Sequence, residues 1–129
     1  MRIIRRRLPD GVHSQNDGVT VTIDDRLNAA AMFVALQHEL IHIERGHVGH
    51  PRAAEMEVRL ETAVRCLPVD ALAGTCHGRA PVALARELGV TPDVLEDRAA
   101  TLTEAEAGLL GCASCRVCSV MKYRFAPRP

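Results

Sequence analysis

Two histidines four residues apart, with a glutamate directly after the first, form the run His38-Glu39-Leu40-Ile41-His42. They lie inside 28–44, where Ala29, Ala30, Met32, Phe33, Leu36, Leu40 and Ile43 recur at helical spacing. Residues four apart on a helix differ by about 40° around its axis and lie one turn apart. Both imidazoles can therefore hold one metal ion from the same face. Glu39 points beside that ion and not at it, where a general base for an attacking water should stand. With six histidines and nine glutamates in 129 residues, about 0.02 such boxes are expected by chance. The apolar face buries the segment, and half-buried histidines beside a carboxylate need partners that a metal provides.

Two protein ligands are too few, because a catalytic zinc takes three and leaves one position open. The candidates downstream are His47, His50, Glu55, Glu57 and Glu61. An HExxHxxGxxH pattern needs Gly at 45 and His at 48, but Arg45 and Val48 stand there, so His47 and His50 are out of register. Attention moves to the next helical run, 51–66, opened by Pro51. Glu55 and Glu57 are about 200° apart on a helix, so one of them reaches the metal. Spacing alone does not choose between them.

The remaining chain reads as a small, mostly helical α+β domain. Strands are expected over 2–8 and 19–23, joined by a loop holding Pro9, Asp10, Gly11, Asn16, Asp17 and Gly18. Asp24 or Asp25 is placed to cap the long helix, and Gly46 to close it. Further helices are expected over 82–88, 92–102 and 103–110, the last with Thr103 and Glu106 as a capping box. One core suits this length, and it must be aliphatic, since Trp is absent and Phe33, Tyr123 and Phe125 are the only aromatics. No run approaches the ~18 apolar residues of a membrane span. The first eight residues lack the apolar stretch of an export signal, so five cysteines imply a reducing cytoplasm without disulfides. Cys66 is assigned to the core.

Residues 82–102 imitate a helix-turn-helix with Gly89 in the turn. Their charge opposes nucleic-acid binding, because 79–106 carries three arginines against six acids, a net of −3. The zero net charge of the whole hides two basic ends, +4 over residues 1–7 and +4 over the last fourteen. Basic ends can touch nucleic acid or an acidic partner, but these are read as solvated ends that aid solubility.

From residue 8 to about 110 the chain resembles the ImmA/IrrE-type zinc metallopeptidases, in the short form carried by phages and mobile elements of actinobacteria. The likeness rests on the strand 19–23 and on Leu36-Gln37-His38-Glu39-Leu40-Ile41-His42-Ile43-Glu44-Arg45-Gly46. It continues through Glu55-Met56-Glu57-Val58-Arg59-Leu60-Glu61, Cys66-Leu67-Pro68, Leu88-Gly89-Val90, Arg98 and Leu102. The resemblance implies a zincin-like metallopeptidase domain over 1–110 with a short antiparallel sheet; the Cys-rich basic tail over 111–129 lies outside the likeness. In that family a glutamate thirteen residues before a Leu/Ile/Met-Pro pair is the third ligand; counting back from Pro68 gives Glu55. Glu57 is then the supporting acid that steadies the ligands, and Glu61 a solvated helix residue. Where the family usually has Asn or Asp four residues after the ligand, this chain has Arg59.

The implied chemistry is amide hydrolysis at Zn²⁺ held by His38, His42 and Glu55. Zinc lowers the pKa of a water toward ~7, and Glu39 is placed to take its proton and pass it to the leaving amine. The oxyanion needs a further donor: His77, His47 and His50 are available, with Tyr123 and His13 more remote. In the tail, Cys112, Cys115 and Cys118 at CxxCxxC spacing form a second, structural zinc site if Cys76 or His77 completes it. The alternative there is a reduced tail with incidental cysteines. The partner implied is a protein substrate, a helix-turn-helix repressor of a mobile element in the bacterial host, with no membrane involved. The competing reading is a zinc-containing antirepressor that acts by contact without cleavage.

Overall fold

The computed structural model describes residues 1–72 and 80–110. The chain divides into two compact units, Met1–Thr62 and Ala63–Pro129. Among the described residues no helix is long and apolar enough to cross a membrane.

The first unit holds a three-stranded sheet and a long helix. Strands β1 (Arg2–Arg6), β2 (Ser14–Asn16) and β3 (Thr20–Asp24) are ordered β1-β3-β2. The β-branched run Thr20-Val21-Thr22-Ile23 takes the centre, where Val21, Thr22, Ile23 and Asp24 are all buried. β2 pairs antiparallel with β3, Ser14 opposite Ile23 and Asn16 opposite Val21. Their turn is set by Asp17, whose carboxylate accepts from Val19 N–H at 3.0 Å and from the Thr20 amide. These bonds, Val19's first, hold the Asp17 pKa below its usual value. Gly18 adopts φ +94° in that turn, a conformation side chains disfavour.

β1 pairs with β3 in parallel, Arg2 opposite Thr20 and Arg6 opposite Asp24. The sheet is therefore mixed and not the expected antiparallel one. The cause is β2, hidden in a stretch read as loop. It reverses the chain and occupies one edge of β3, so β1 lies on the other edge and runs the same way as β3. Alternating patterns report which residues face the core, but not strand direction.

Helix α1 (Ala29–Glu44) packs on β2 and β3. Its N-cap is Asn28, whose side chain accepts from Ala31 N–H at 2.8 Å. The cap is thus neither of the expected residues, Asp24 and Asp25, and Asp24 is engaged elsewhere: Arg26 Nη2 lies 2.8 Å from its carboxylate and Nε donates to both oxygens. Arg26 holds Asp24 below the usual carboxylate range. At the other end Gly46, φ +75°, closes the helix as expected. Its N–H bonds Ile43 O at 3.0 Å and the next amide, His47, bonds His42 O at 2.8 Å, the paired closure of a Schellman motif. A 3₁₀ turn over Arg52–Ala54 leads into α2 (Glu55–Cys66).

In the second unit, the end of α2 is followed by α3 (Val69–Leu72), α4 (Pro81–Leu88), α5 (Pro92–Thr101) and α6 (Glu104–Leu110). The single turn α3, just beyond Pro68, was not expected; the others end within a residue or two of the sequence reading. Pro81 and Pro92 open their helices at the first turn, and Gly89, φ +73°, closes α4. Leu84 and Ala85 on α4 and Val94 and Leu95 on α5 are buried and aliphatic; Cys66 is buried too, and burial pushes the pKa of its thiol up to about 11. α4 and α5 pack on each other.

Among the described residues Arg98 is the largest fully buried side chain, 1% exposed. Its guanidinium donates to Leu67 O at 2.6 Å, to Thr101 Oγ1 at 3.2 Å and to Glu106 Oε2 at 2.6 Å. Glu106 also completes the expected capping box: Thr103 Oγ1 accepts from Glu106 N–H at 3.1 Å, and Glu106 Oε1 from Thr103 N–H at 3.2 Å.

Candidate metal centre

The buried stripe of α1 is not the aliphatic face that the sequence suggested. Phe33 is exposed and Met32, Leu36, Leu40 and Ile43 are half-buried, while Ala35, Glu39, Ile41 and His42 are buried. Polar groups lie inward here because β2 presents Ser14 and Asn16 to them. Among the described residues every buried side-chain nitrogen and oxygen has a partner.

His38 and His42 meet at Nε2, 3.2 Å apart, and Glu55 at the start of α2 reaches both. Its Oε1 lies 2.7 Å from His42 Nε2 and its Oε2 3.3 Å from His38 Nε2. His50, from the loop after α1, brings a fourth donor, and the donor atoms of His38, His42, His50 and Glu55 all lie within 4.8 Å of one another. Tetrahedral zinc with bonds of ~2.0–2.1 Å separates its ligand atoms by about 3.4 Å. The 3.2 Å between the two imidazoles and the 3.3 Å from His38 to Glu55 match that span, whereas the 2.7 Å from His42 to Glu55 is a hydrogen-bond length that an ion would widen; imidazole plus carboxylate is zinc's donor chemistry. Burial first, then the neighbouring His38, pushes His42 below the usual imidazole pKa, toward the neutral form that binds metal.

His42 is held from behind. Its Nδ1 lies 3.0 Å from His47 Nδ1, so one of the two rings carries the bridging proton. With that proton on His42, Nε2 is left as a lone pair facing the cluster.

Glu39 has no exposed surface. Ser14 Oγ donates to Oε1 at 3.0 Å and Asn16 Nδ2 to Oε2 at 2.7 Å, and His50 Nε2 lies against Oε1. Asn16 is bound on all sides, since it also bonds both the C=O and the N–H of Gly49.

Of the residues expected from sequence, His38, His42 and Glu55 converge, with Glu39 adjoining through His50. Glu57 does not join them: it is exposed, with Arg45 Nη1 at 3.4 Å, and Glu61 pairs with the same arginine. A residue two on from Glu55 lies on the opposite side of the helix. Glu57 therefore does not support the cluster, and Glu61 is an ion-pair residue and not merely a solvated one. Arg59 is exposed, as is His13. His77, Tyr123 and the cysteines Cys76, Cys112, Cys115 and Cys118 lie outside the described residues.

His47, His50, Ser14 and Asn16 gained roles that sequence reasoning did not assign. His50 was set aside on helical register, which does not bind a residue carried by a loop. Ser14 and Asn16 left one usable signal, their period-two spacing around exposed Gln15, obscured by the turn residues on either side. No protein family, curated protein or solved structure matches the chain significantly.

Proposed function

We propose that this chain is a zinc-dependent endopeptidase with a zincin-like site, acting on a regulatory protein, for which the ImmA/IrrE resemblance suggests a helix-turn-helix repressor of a mobile element. The observation that carries the reading is the convergence of His38, His42 and Glu55, with the buried carboxylate of Glu39 joined to that cluster by His50. His38, His42 and Glu55 hold the ion, and His47 keeps the His42 ring in its binding orientation. Zinc, when bound, supplies Lewis-acid polarisation of the scissile carbonyl and a lowered pKa for the attacking water. Glu39 accepts that proton and returns it to the leaving amine, after giving up one of its present partners. β2 lies at an edge of the sheet, and an extended substrate segment adding to that edge would pass beside Glu39. The cytoplasm of the bacterial host is the compartment this assigns. Cys112, Cys115 and Cys118 with Cys76 remain the candidate for a second, structural zinc.

A contact-only antirepressor has one observation in its favour: Glu39 is wholly buried, with both oxygens engaged. Glu39→Gln separates the two. It keeps zinc, measured by metal analysis, and lowers cleavage of a co-expressed repressor by ~10²–10⁴-fold if Glu39 is the base. Repressor inactivation at the wild-type rate by this variant would refute the peptidase and leave the contact reading.

A further inference from the structure

His50 is exposed, carried by a loop, and out of register with the HExxH helix, yet its ring lies with centroids 5.5 Å from His38 and 5.0 Å from His42. One of its nitrogens belongs to the donor cluster, and its Nε2 touches Glu39. The loop is not left free to bring it there. Asn16 Nδ2 donates to Gly49 O at 3.0 Å and Gly49 N–H donates to Asn16 Oδ1 at 3.1 Å, which staples the residue before His50 to β2. The same Nδ2 donates to Glu39 at 2.7 Å. One amide side chain thus ties the loop, the strand and the carboxylate together. The loop is bounded by Gly46 at φ +75° and Gly49 at φ +72°, conformations open to glycine and costly for other residues.

We propose that His50 is a fourth metal-binding side chain of this centre and that Asn16 is the residue that positions it. This rests on the reading of His38, His42 and Glu55 as a zinc site. Four protein donors make a closed centre, whereas hydrolysis needs one position open to water. The arrangement described is then the closed one. Because the same ring covers Glu39, withdrawing His50 frees the metal position and the base together, and the Asn16–Gly49 bonds are what must release.

The test uses the full chain, stripped with a chelator, with zinc affinity read by competition against a chromophoric chelator and geometry by the visible spectrum of the cobalt(II)-loaded protein. His50→Ala and the closer-shaped His50→Gln should each weaken zinc binding by at least ~10–100-fold, the range seen even for residues that only support a ligand. Their cobalt spectra should weaken as water enters, and added imidazole should restore the wild-type spectrum in His50→Gly. Asn16→Ala should shift affinity the same way, and His13→Ala, outside the cluster, should shift nothing. If His38→Ala loses zinc while the His50 variants keep wild-type affinity and spectrum, the assignment of His50 is overturned and the metal centre stands. If His38→Ala and His42→Ala also bind zinc as the wild type does, the centre itself is refuted, and His50 with it.

Discussion

Ser14→Ala removes one hydroxyl from the carboxylate on which the proposed chemistry turns. Ser14 is 6% exposed, Glu39 is fully buried, and the bond between them spans 3.0 Å. A hydrogen bond to a charged group contributes about 1.5–3 kcal/mol. The hydroxyl leaves too little room for a replacing water, but Glu39 keeps Asn16 and His50, so we expect a loss near ~2 kcal/mol within that range. Against a neutral amide the same bond is worth ~1 kcal/mol or less. The Ser14→Ala cost should therefore shrink by about 1 kcal/mol in the Glu39→Gln background. The measurement is a double-mutant cycle on metal-free protein. Opening free energies come from hydrogen exchange of the buried β3 amides, which reads this part of the molecule. A cost for Ser14→Ala that is equal in both backgrounds, within ~0.5 kcal/mol, would refute the picture of a charged Glu39 held by β2.

Two further outcomes follow from the fold. Asn28→Ala should cost ~1 kcal/mol through the lost cap of α1, seen as faster exchange at the Ala31 amide; protection unchanged there would return the capping role to another residue. Glu106→Gln should destabilise the second unit by ~2 kcal/mol at neutral pH, below the ~3–5 kcal/mol for breaking a fully buried pair because Glu106 is 25% exposed. Gln preserves the capping box but not the charge. Arg98, chiefly through its hydrogen bond, lowers the Glu106 pKa. That stability is present above the unfolded value of ~4.3 and is lost as pH falls through the lower folded value. The gap between wild type and variant in denaturant melts should thus close on acidification, and a gap constant from pH 7 to pH 3 would contradict the pairing.

Much of the site was readable from local geometry. The HExxH pair needs only the helix repeat, and α1 supplies it with His38 and His42 3.2 Å apart. Glu55 was reached by resemblance and counting, and it meets both histidines. The capping box of α6 and the glycine closures of α1 and α4 were likewise legible, since each is settled within a turn or two of chain. Strand direction was not, because a five-residue alternating pattern reads the same in a parallel pair and an antiparallel one. The cap of α1 was misjudged for a related reason: Asp24 is chemically suited, but Arg26 already holds it.

What the amino-acid order settles on its own is short-range: which long runs are helical, where glycine closes them, and that two imidazoles share one face. These follow from backbone repeat and capping chemistry, which act over a few residues. Folding in three dimensions settles what surrounds that face. β2 pairs with β3 and so delivers Ser14 and Asn16 to Glu39; Asn16 then grips Gly49, 33 residues away in the chain, and brings His50 to the cluster. No spacing rule links those residues, because their contact depends on strand pairing and on α1 packing against the sheet. The histidine pair is thus a property of one helix, whereas the surroundings of Glu39 and the place of His50 belong to the assembled unit.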